Sequence, residues 1–526
     1  MRAPSFSGAW RYDQNMVAEP ASPVPSSSRK RVFLETFGCQ MNILDSELVK
    51  GDLALRGYDF VARPDDADIV LYNTCSVREL SEHKVLSRLG IQKRRKANEP
   101  DLVIGLLGCM AERAGAALAD ELPHLDVVIG PSELDRLPAL LDEIARGGAR
   151  VQKLALSGHN SRRSSTLDAA MDRLEALDRG RFTDPDEGTA QAYVRITRGC
   201  NKFCSFCVVP FTRGPEVHRD PDAIVEEVKR LVDAGVKEVT LLGQTINHYQ
   251  VGDTSFARLL RRVHDEVPDL ARLRFLTSYP RDFTDETLDV MASSERICRF
   301  LHIPAQHGND AVLKRMNRGY TRAMYLDLIA RARARMPDVA IVGDMIVGFP
   351  GETDQDFEDS LTLLDAVRYK TVYVFKYSPR PGTVAERRDD DDVPDAVKRE
   401  RNNIMLQRQH EISLAHHEAM KGAPVEVLVE GVAKIDPEMR DAIVDDDGAP
   451  LLSIGGKKTR QRTGDIVRLT SRTRGDHIVS FDGPASLVGA LVQVRVDAVT
   501  GLSLRGILVD AATRADPQTS DAVARA

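Results

Sequence analysis

The chain has 526 residues, 42% of them hydrophobic and 29% charged, with a formal net charge of −7. That length exceeds one ordinary core and suggests three domains at about 100–200 residues each. No apolar stretch approaches the roughly 18 residues of a membrane span, seven thinly spread cysteines do not make a disulfide framework, and net acidity argues against sequence-blind nucleic-acid binding over the whole surface.

Residues 1–29 are rich in Pro and Ser and lack the basic start, apolar centre and cleavage site of a signal peptide. They read as a disordered leader, and unpaired thiols point to a reducing, cytoplasmic setting. From 30 to 147, apolar runs alternate with helical patterns: RVFLETFGC, a helix from about Asp45 to Gly57, DIVLYNTCSV, a helix through Leu89, DLVIGLLGCMAE, another helix, then DVVIG and a helix ending near Gly147. Buried runs separated by helices predict parallel strands in βαβ units, hence an α/β domain.

Cys39, Cys75 and Cys109 each fall where a predicted strand turns into the following helix. Carboxyl ends of parallel strands share one sheet edge, where such folds place ligands. Residues 36 and 34 positions apart can therefore converge as a three-thiolate cluster site, with helix N-termini favouring anionic sulfur. Three ordinary buried cysteines are the competing reading. The basic run Lys93-Arg94-Arg95-Lys96 reads as a solvated face.

Residues 148–188, charged and Ser/Gly-rich with a weak helical pattern from Ser165 to Leu177, read as a linker. Six strand candidates follow within 189–418: QAYVRIT, KEVTLLG, LRFLTS, RFLHIP, VAIVGDMIVG and TVYVFKY. Helical patterns lie between them, and strict alternation predicts an all-parallel sheet, compatible with an incomplete six-unit barrel. Cys200, Cys204 and Cys207 follow the first strand, at the barrel end that carries active sites.

Their C-x-x-x-C-x-x-C spacing suits three corners of an iron–sulfur cube, leaving one iron open to a substrate. Electron-transfer clusters normally take four thiolates, and structural zinc takes four ligands. A fourth ligand such as His218 would restore the zinc reading, which spacing alone leaves open. Cys298 reads as a buried core residue.

Past Glu386 an acidic run and a charged helix to about Met420 lead into residues 419–510. There PVEVLVEG, DIVRLTS, HIVSFDG, LVGALVQVRVDAVT and LSLRGILV predict a small antiparallel barrel. Lys457, Lys458, Arg460, Arg462, Arg468, Arg472 and Arg474 stand against one acid, Asp465, a candidate RNA-binding patch. Residues 511–526 read as a disordered tail.

With these pieces in place, the chain resembles the radical S-adenosylmethionine methylthiotransferases over about residues 30–510. The resemblance rests on FGCQMN (Phe37–Asn42), NTCSVRE (Asn73–Glu79), LGCMAE (Leu107–Glu112), GCNKFCSFCVVPFTRG (Gly199–Gly214), GQTIN (Gly243–Asn247), VGFPGET (Val347–Thr353) and YSPRPGT (Tyr377–Thr383). It implies an N-terminal methylthiotransferase domain, a radical-SAM partial (β/α)6 barrel and a C-terminal RNA-binding barrel of the TRAM type.

The resemblance further implies two 4Fe-4S clusters, an auxiliary one on Cys39, Cys75 and Cys109 and a radical one on Cys200, Cys204 and Cys207. S-adenosylmethionine contacts are expected at Gly243, Gln244, Gly348 and Glu352, for which turn glycines at strand ends are the plainer reading. The implied substrate is an isopentenyl-modified adenosine next to the anticodon of tRNA, methylthiolated at carbon 2. Gln-Met-Asn after Cys39 favours that branch over enzymes acting on threonylcarbamoyl-adenosine in tRNA or on an aspartate of a ribosomal protein. A non-enzymatic zinc and RNA-binding protein is the reading from another class.

A low-potential electron donor such as flavodoxin or ferredoxin, a sulfur donor and a monomeric state complete the expectation. Arg213, Arg380 and Arg505 could contact tRNA phosphate, but surface salt bridging is the better reading for each. His307 and Asn309 stand where members of the family usually carry serines, and a hydrogen-bonding role is expected for His307.

Overall fold

Apolar runs at Ile69–Thr74 and Val103–Gly108 are buried along their whole length, as strands covered on both faces must be. They form the centre of a six-stranded, all-parallel sheet. Its order is Asp59–Phe60, Arg31–Phe37, Ile69–Thr74, Val103–Gly108, Val127–Ile129, Lys153–Ala155. The computed structural model describes residues 30–76, 79–146, 153–155, 174–178, 181, 190–433 and 466–509. The leader, the tail, most of 148–188, and Lys457, Lys458, Arg460 and Arg462 lie outside the described residues.

Helix boundaries shift from expectation for local reasons. The first helix spans Gln40–Leu55, starting directly after Cys39, whose carbonyl accepts from the Asn42 and Ile43 amides at 3.0 and 3.2 Å. The second runs from Glu79 to Asn98, past the expected end at Leu89. The basic run therefore sits on its last turns. Arg95 donates to the Pro64 and Ala67 carbonyls at 2.5 and 2.8 Å, and Lys96 pairs with Asp126, so half of that run is structural.

The segment expected as a linker contributes to the fold. Lys153–Ala155 is the sheet's edge strand, and in the helical turn 174–178 Glu175 accepts from Arg219 at 2.6 Å while Asp178 pairs with Arg195. Long-range ion pairs decide this, and no local periodicity announces them.

All six expected strands of the central domain form, in two parallel sheets: Arg272–Phe275, Glu238–Leu242, Gln191–Arg195, and Phe300–His302, Ala340–Val347, Thr371–Lys376. A single parallel bridge, Leu273 to Ile297, joins the halves of this open barrel. Capping is explicit: Asp220 accepts from the Asp222 and Ala223 amides ahead of Pro221, and Thr353 with Asp356 forms a capping box. Cys298 is buried against Phe300, Ala340 and Val342, as expected.

The last five strands close a barrel in the order Pro424–Val432, Ile466–Thr473, Ile478–Pro484, Leu504–Leu508, Leu491–Val499. Buried Arg272 donates to the Arg472 and Glu426 carbonyls at 2.9 and 3.1 Å, tying this barrel to the central domain. Arg472 pairs with Glu430 and Asp476, both at 2.9 Å, and Arg474 with Glu426 at 3.2 Å. Both arginines, expected to meet RNA, are thus engaged with acids at the seam between the barrel and the central domain.

Candidate metal centres

The three N-terminal thiols converge because three strand ends do. Cys39 leads into the helix Gln40–Leu55, Cys75 follows the strand Ile69–Thr74, and Cys109 opens the helix Cys109–Glu121. An amide network holds the first two turns together: Asn73 Nδ2 donates to the Asn42 carbonyl and Ser46 Oγ, both at 2.9 Å, and Asn42 Nδ2 to Asn73 Oδ1 at 3.0 Å. Gly108 sits at φ +92°, and a Cβ there would stand 2.2 Å from Asn73 Oδ1. Only glycine lets the third turn close on the other two.

Electrostatically the thiols of this triplet differ. A shared hydrogen bond with Cys75, with Arg213 and nearby amides adding to it, lowers the Cys39 thiol pKa against the opposing effect of burial. Burial raises that of Cys109. Buried Arg213 donates to Asp45 at 2.7 Å. Burial opposes its charge, but Asp45 and the Cys109 and Cys39 sulfurs outweigh that and raise its pKa. Arg198, buried and bonded to Ser132 at 2.6 Å, is lowered to about 9 by burial and then by Arg195 and Arg213. Arg213, expected at the surface, is instead a buried cation between the two domains.

The second triplet is built within one loop. Gly199, at φ +74°, brings the chain so close that a Cβ would lie 2.0 Å from the Pro215 carbonyl. The Cys200 amide donates to the Gly214 carbonyl at 3.2 Å and the Cys207 amide to the Cys204 carbonyl at 3.0 Å. Cys200 Sγ lies 3.2 Å from Thr245 Oγ1, and Arg318 Nη1 donates to Cys204 Sγ at 3.2 Å. Burial, and then the neighbouring Cys204, pushes the Cys207 thiol up to about 12.

Neither triplet has the tightness of a mononuclear zinc site. Tetrahedral zinc with 2.3 Å bonds sets its sulfurs about 3.8 Å apart. Among the described residues, the only three His, Cys, Asp or Glu ligand atoms all within 4.8 Å of one another belong to Glu216, His218 and His248. Neither thiol triplet forms such a group. His218 is grouped with Glu216 and His248 rather than with the cysteines, its ligand atom lying within 4.8 Å of theirs.

The four expected cofactor residues divide. Gln244 Oε1 is buried without a hydrogen-bond partner among the described residues, a free acceptor one residue beyond Gly243 and suited to an ammonium group. Glu352 is already committed: Oε2 meets the Gly348 amide at 2.9 Å and His307 Nε2 at 3.1 Å, and Oε1 takes Arg401 at 2.7 Å. Lys398 occupies the space a Cβ on Gly348 would need, with its Cγ 2.3 Å away. Gly348 and Glu352 therefore brace the loop. His307 is the hydrogen-bonding residue expected, and Asn309 caps the helix Asp310–Arg315. Arg318 escaped sequence reasoning because it lies 114 residues from Cys204, whereas Arg213 had a signal in the TRG that closes the cysteine loop.

The fold agrees with what the comparisons show, a radical S-adenosylmethionine enzyme. The Radical SAM superfamily matches residues 194–364, and the family described as Uncharacterized protein family UPF0004 matches 31–130. The chain is 41% identical over 486 residues to tRNA-2-methylthio-N(6)-dimethylallyladenosine synthase of Rhodopirellula baltica, covering 91% of this chain and 96% of that one. It is 40% identical to the protein of the same name from Moorella thermoacetica, covering 92% and 99%. A solved radical S-adenosylmethionine methyltransferase, TsrM from Kitasatospora setae, shares 16% identity at a TM-score of 0.48 over 68% of this chain and 74% of that chain.

The chain belongs to the tRNA-2-methylthio-N(6)-dimethylallyladenosine synthase family of radical S-adenosylmethionine methylthiotransferases. Its cofactors are 4Fe-4S clusters and S-adenosylmethionine. No helix among the described residues is long and apolar enough to cross a membrane.

Proposed function

We propose that this chain methylthiolates carbon 2 of N(6)-dimethylallyladenosine next to the anticodon of tRNA. The observation that carries the reading is the pair of separate three-thiol nests in one molecule, in a chain 41% identical to a synthase of that name. The carbon–hydrogen bond at that position is unactivated, beyond the reach of a side-chain acid or base at neutral pH. When bound, the clusters and S-adenosylmethionine supply the radical, sulfur and methyl chemistry.

The protein's share is binding, orientation and charge. Cys200, Cys204 and Cys207 hold the radical cluster, and Cys39, Cys75 and Cys109 the auxiliary one. Gln244 accepts from the ammonium of S-adenosylmethionine, and Gly243 leaves room beside it. Arg318 and Arg213, each against a ligand sulfur, neutralise charge where iron and sulfide accumulate. The C-terminal barrel carries the tRNA, with Lys457, Lys458, Arg460 and Arg462 as the phosphate contacts and Arg472 and Arg474 as the anchor of that barrel. A cytoplasmic monomer served by a flavodoxin or ferredoxin and a sulfur donor is the working arrangement.

Nucleoside mass spectrometry of tRNA from a strain lacking the gene tests the substrate. Loss of the methylthio form of dimethylallyladenosine with build-up of the unmodified nucleoside is expected; loss of a methylthio threonylcarbamoyl nucleoside instead would transfer the assignment. Anaerobic reconstitution should load about eight irons per chain, four for each of two cubes. Zinc without iron would refute the enzyme reading.

A further inference from the structure

One cluster of ligating side chains stands apart from both thiol triplets. Glu216 and His218 lie on the return of the cysteine loop, where Val217–His218 pairs antiparallel with Thr197–Arg198. His248 ends the short turn Ile246–His248. One ligand atom from each lies within 4.8 Å of the other two. The Glu216 side chain is only 1% exposed, and its Oε1 has no hydrogen-bond partner among the described residues. Its Oε2 lies 2.6 Å from His248 Nδ1.

His218 is oriented as ligating imidazoles are. Its Nδ1 meets the Thr197 hydroxyl at 3.0 Å, leaving Nε2 free for a ligand, and its ring packs edge-on against Tyr249 at 5.4 Å. Metal-binding histidines use a hydrogen-bond acceptor on the far ring nitrogen to fix tautomer and plane, and the Thr197 hydroxyl can serve as one. Lys202, the cation nearest this carboxylate, is taken up by Asp282 at 2.5 Å. A simple His248–Glu216 pair would leave Oε1 unanswered.

We propose that Glu216, His218 and His248 form a third metal site, for a divalent first-row transition cation of the Zn2+ or Fe2+ class. Two imidazoles and one carboxylate are an established ligand set for these ions, with the remaining positions left to water. Bonds of about 2.0–2.2 Å around one ion set two donors at most about twice that length apart, close to the 4.8 Å within which these three atoms already lie.

The cation acts as a staple. It joins the segment leaving the cysteine loop, where the Glu216 amide donates to Asn201 Oδ1 at 3.2 Å, to the turn carrying Thr245, the hydrogen-bond partner of Cys200. Cys200 is then held from two sides.

The test uses the full chain with both clusters loaded, so that the six ligand cysteines are occupied, and titrates it with Zn2+ by equilibrium dialysis. One zinc per chain beyond the iron content is expected. His248→Ala, at a side chain 45% exposed and so harmless to the core, should weaken binding at least tenfold, and Glu216→Gln should do the same. Zinc should also raise the melting temperature of the wild type and not of His248→Ala, because only a ligand of the folded state stabilises it. No zinc beyond the clusters, or equal binding by wild type and His248→Ala, overturns the proposal.

Discussion

The two thiol triplets reach the same donor set by opposite routes. Cys200, Cys204 and Cys207 sit within eight residues, and backbone hydrogen bonds of a single loop gather them. Cys39, Cys75 and Cys109 come together only because three parallel strands end on one edge and an amide network stitches two of the turns. Their electrostatics differ accordingly. The local triplet has Arg318 against Cys204; the assembled one faces Arg213 and Arg198, both delivered by the central domain. A site made by spacing needs little help from other domains, whereas a site made by topology is completed across a domain boundary.

The most severe break of this comparison separates the two centres chemically. Cys200→Ala should reduce both 5′-deoxyadenosine release and methylthio product to background, measured together after anaerobic reconstitution and chemical reduction. Cys39→Ala should retain deoxyadenosine release while losing the methylthio product, with the iron content of either variant roughly halved, from about eight to about four.

Next in size is the boundary itself. Arg213→Ala removes one partner of a pair whose side chains are 3% and 4% exposed, stranding Asp45 as a buried charge. A loss of about 3–5 kcal/mol in denaturant unfolding is expected for such pairs, with much of it recovered when Asp45→Asn is added. A loss under about 1 kcal/mol, the range of exposed pairs, would mean that the assembled triplet does not depend on the central domain.

Acid probes long-range packing that neither triplet uses. At the barrel seam His417 Nδ1 donates to the Thr500 carbonyl at 2.6 Å, so its Nε2 accepts from His477 Nδ1 at 3.1 Å. Burial, then Lys370 and His417, lowers His477 to about 3 from an ordinary 6.5, and burial lowers His417 as well. Below 6.5 the unfolded chain binds protons that the folded seam refuses. Stability should therefore be full above pH 6.5 and decline as pH falls from 6.5 toward 3. Melting temperature against pH checks this, and His477→Gln should flatten the slope.

The smallest effect sharpens the role of the seam arginines. Arg474→Ala opens a half-exposed pair with Glu426 and should cost no more than about 1 kcal/mol. If it instead weakens tRNA binding about tenfold in a filter assay with the fold intact, Arg474 serves the RNA as well as the seam.

Much of this molecule was legible in its residues. The six central strands, the closed C-terminal barrel and both thiol sets followed from alternation, spacing and position at strand ends. Gln244 has a free acceptor, whereas Glu352 also accepts from its own loop and neighbours, Gly348, His307 and Arg401. Nothing in a local motif distinguishes a carboxylate that faces a ligand from one that faces its own loop.

Periodicity and cysteine spacing are properties of neighbours along the chain, and they determined the elements, their order and the donor atoms. Tertiary structure alone decided which charges meet those donors: Arg213 comes to Cys109 across 104 residues and Arg318 to Cys204 across 114. It also decided that 153–155 and 174–178 join the fold, and that Arg472 and Arg474 turn toward carboxylates. Burial makes the difference, because a charge removed from water must find a partner wherever the chain has brought one within reach, however distant in sequence.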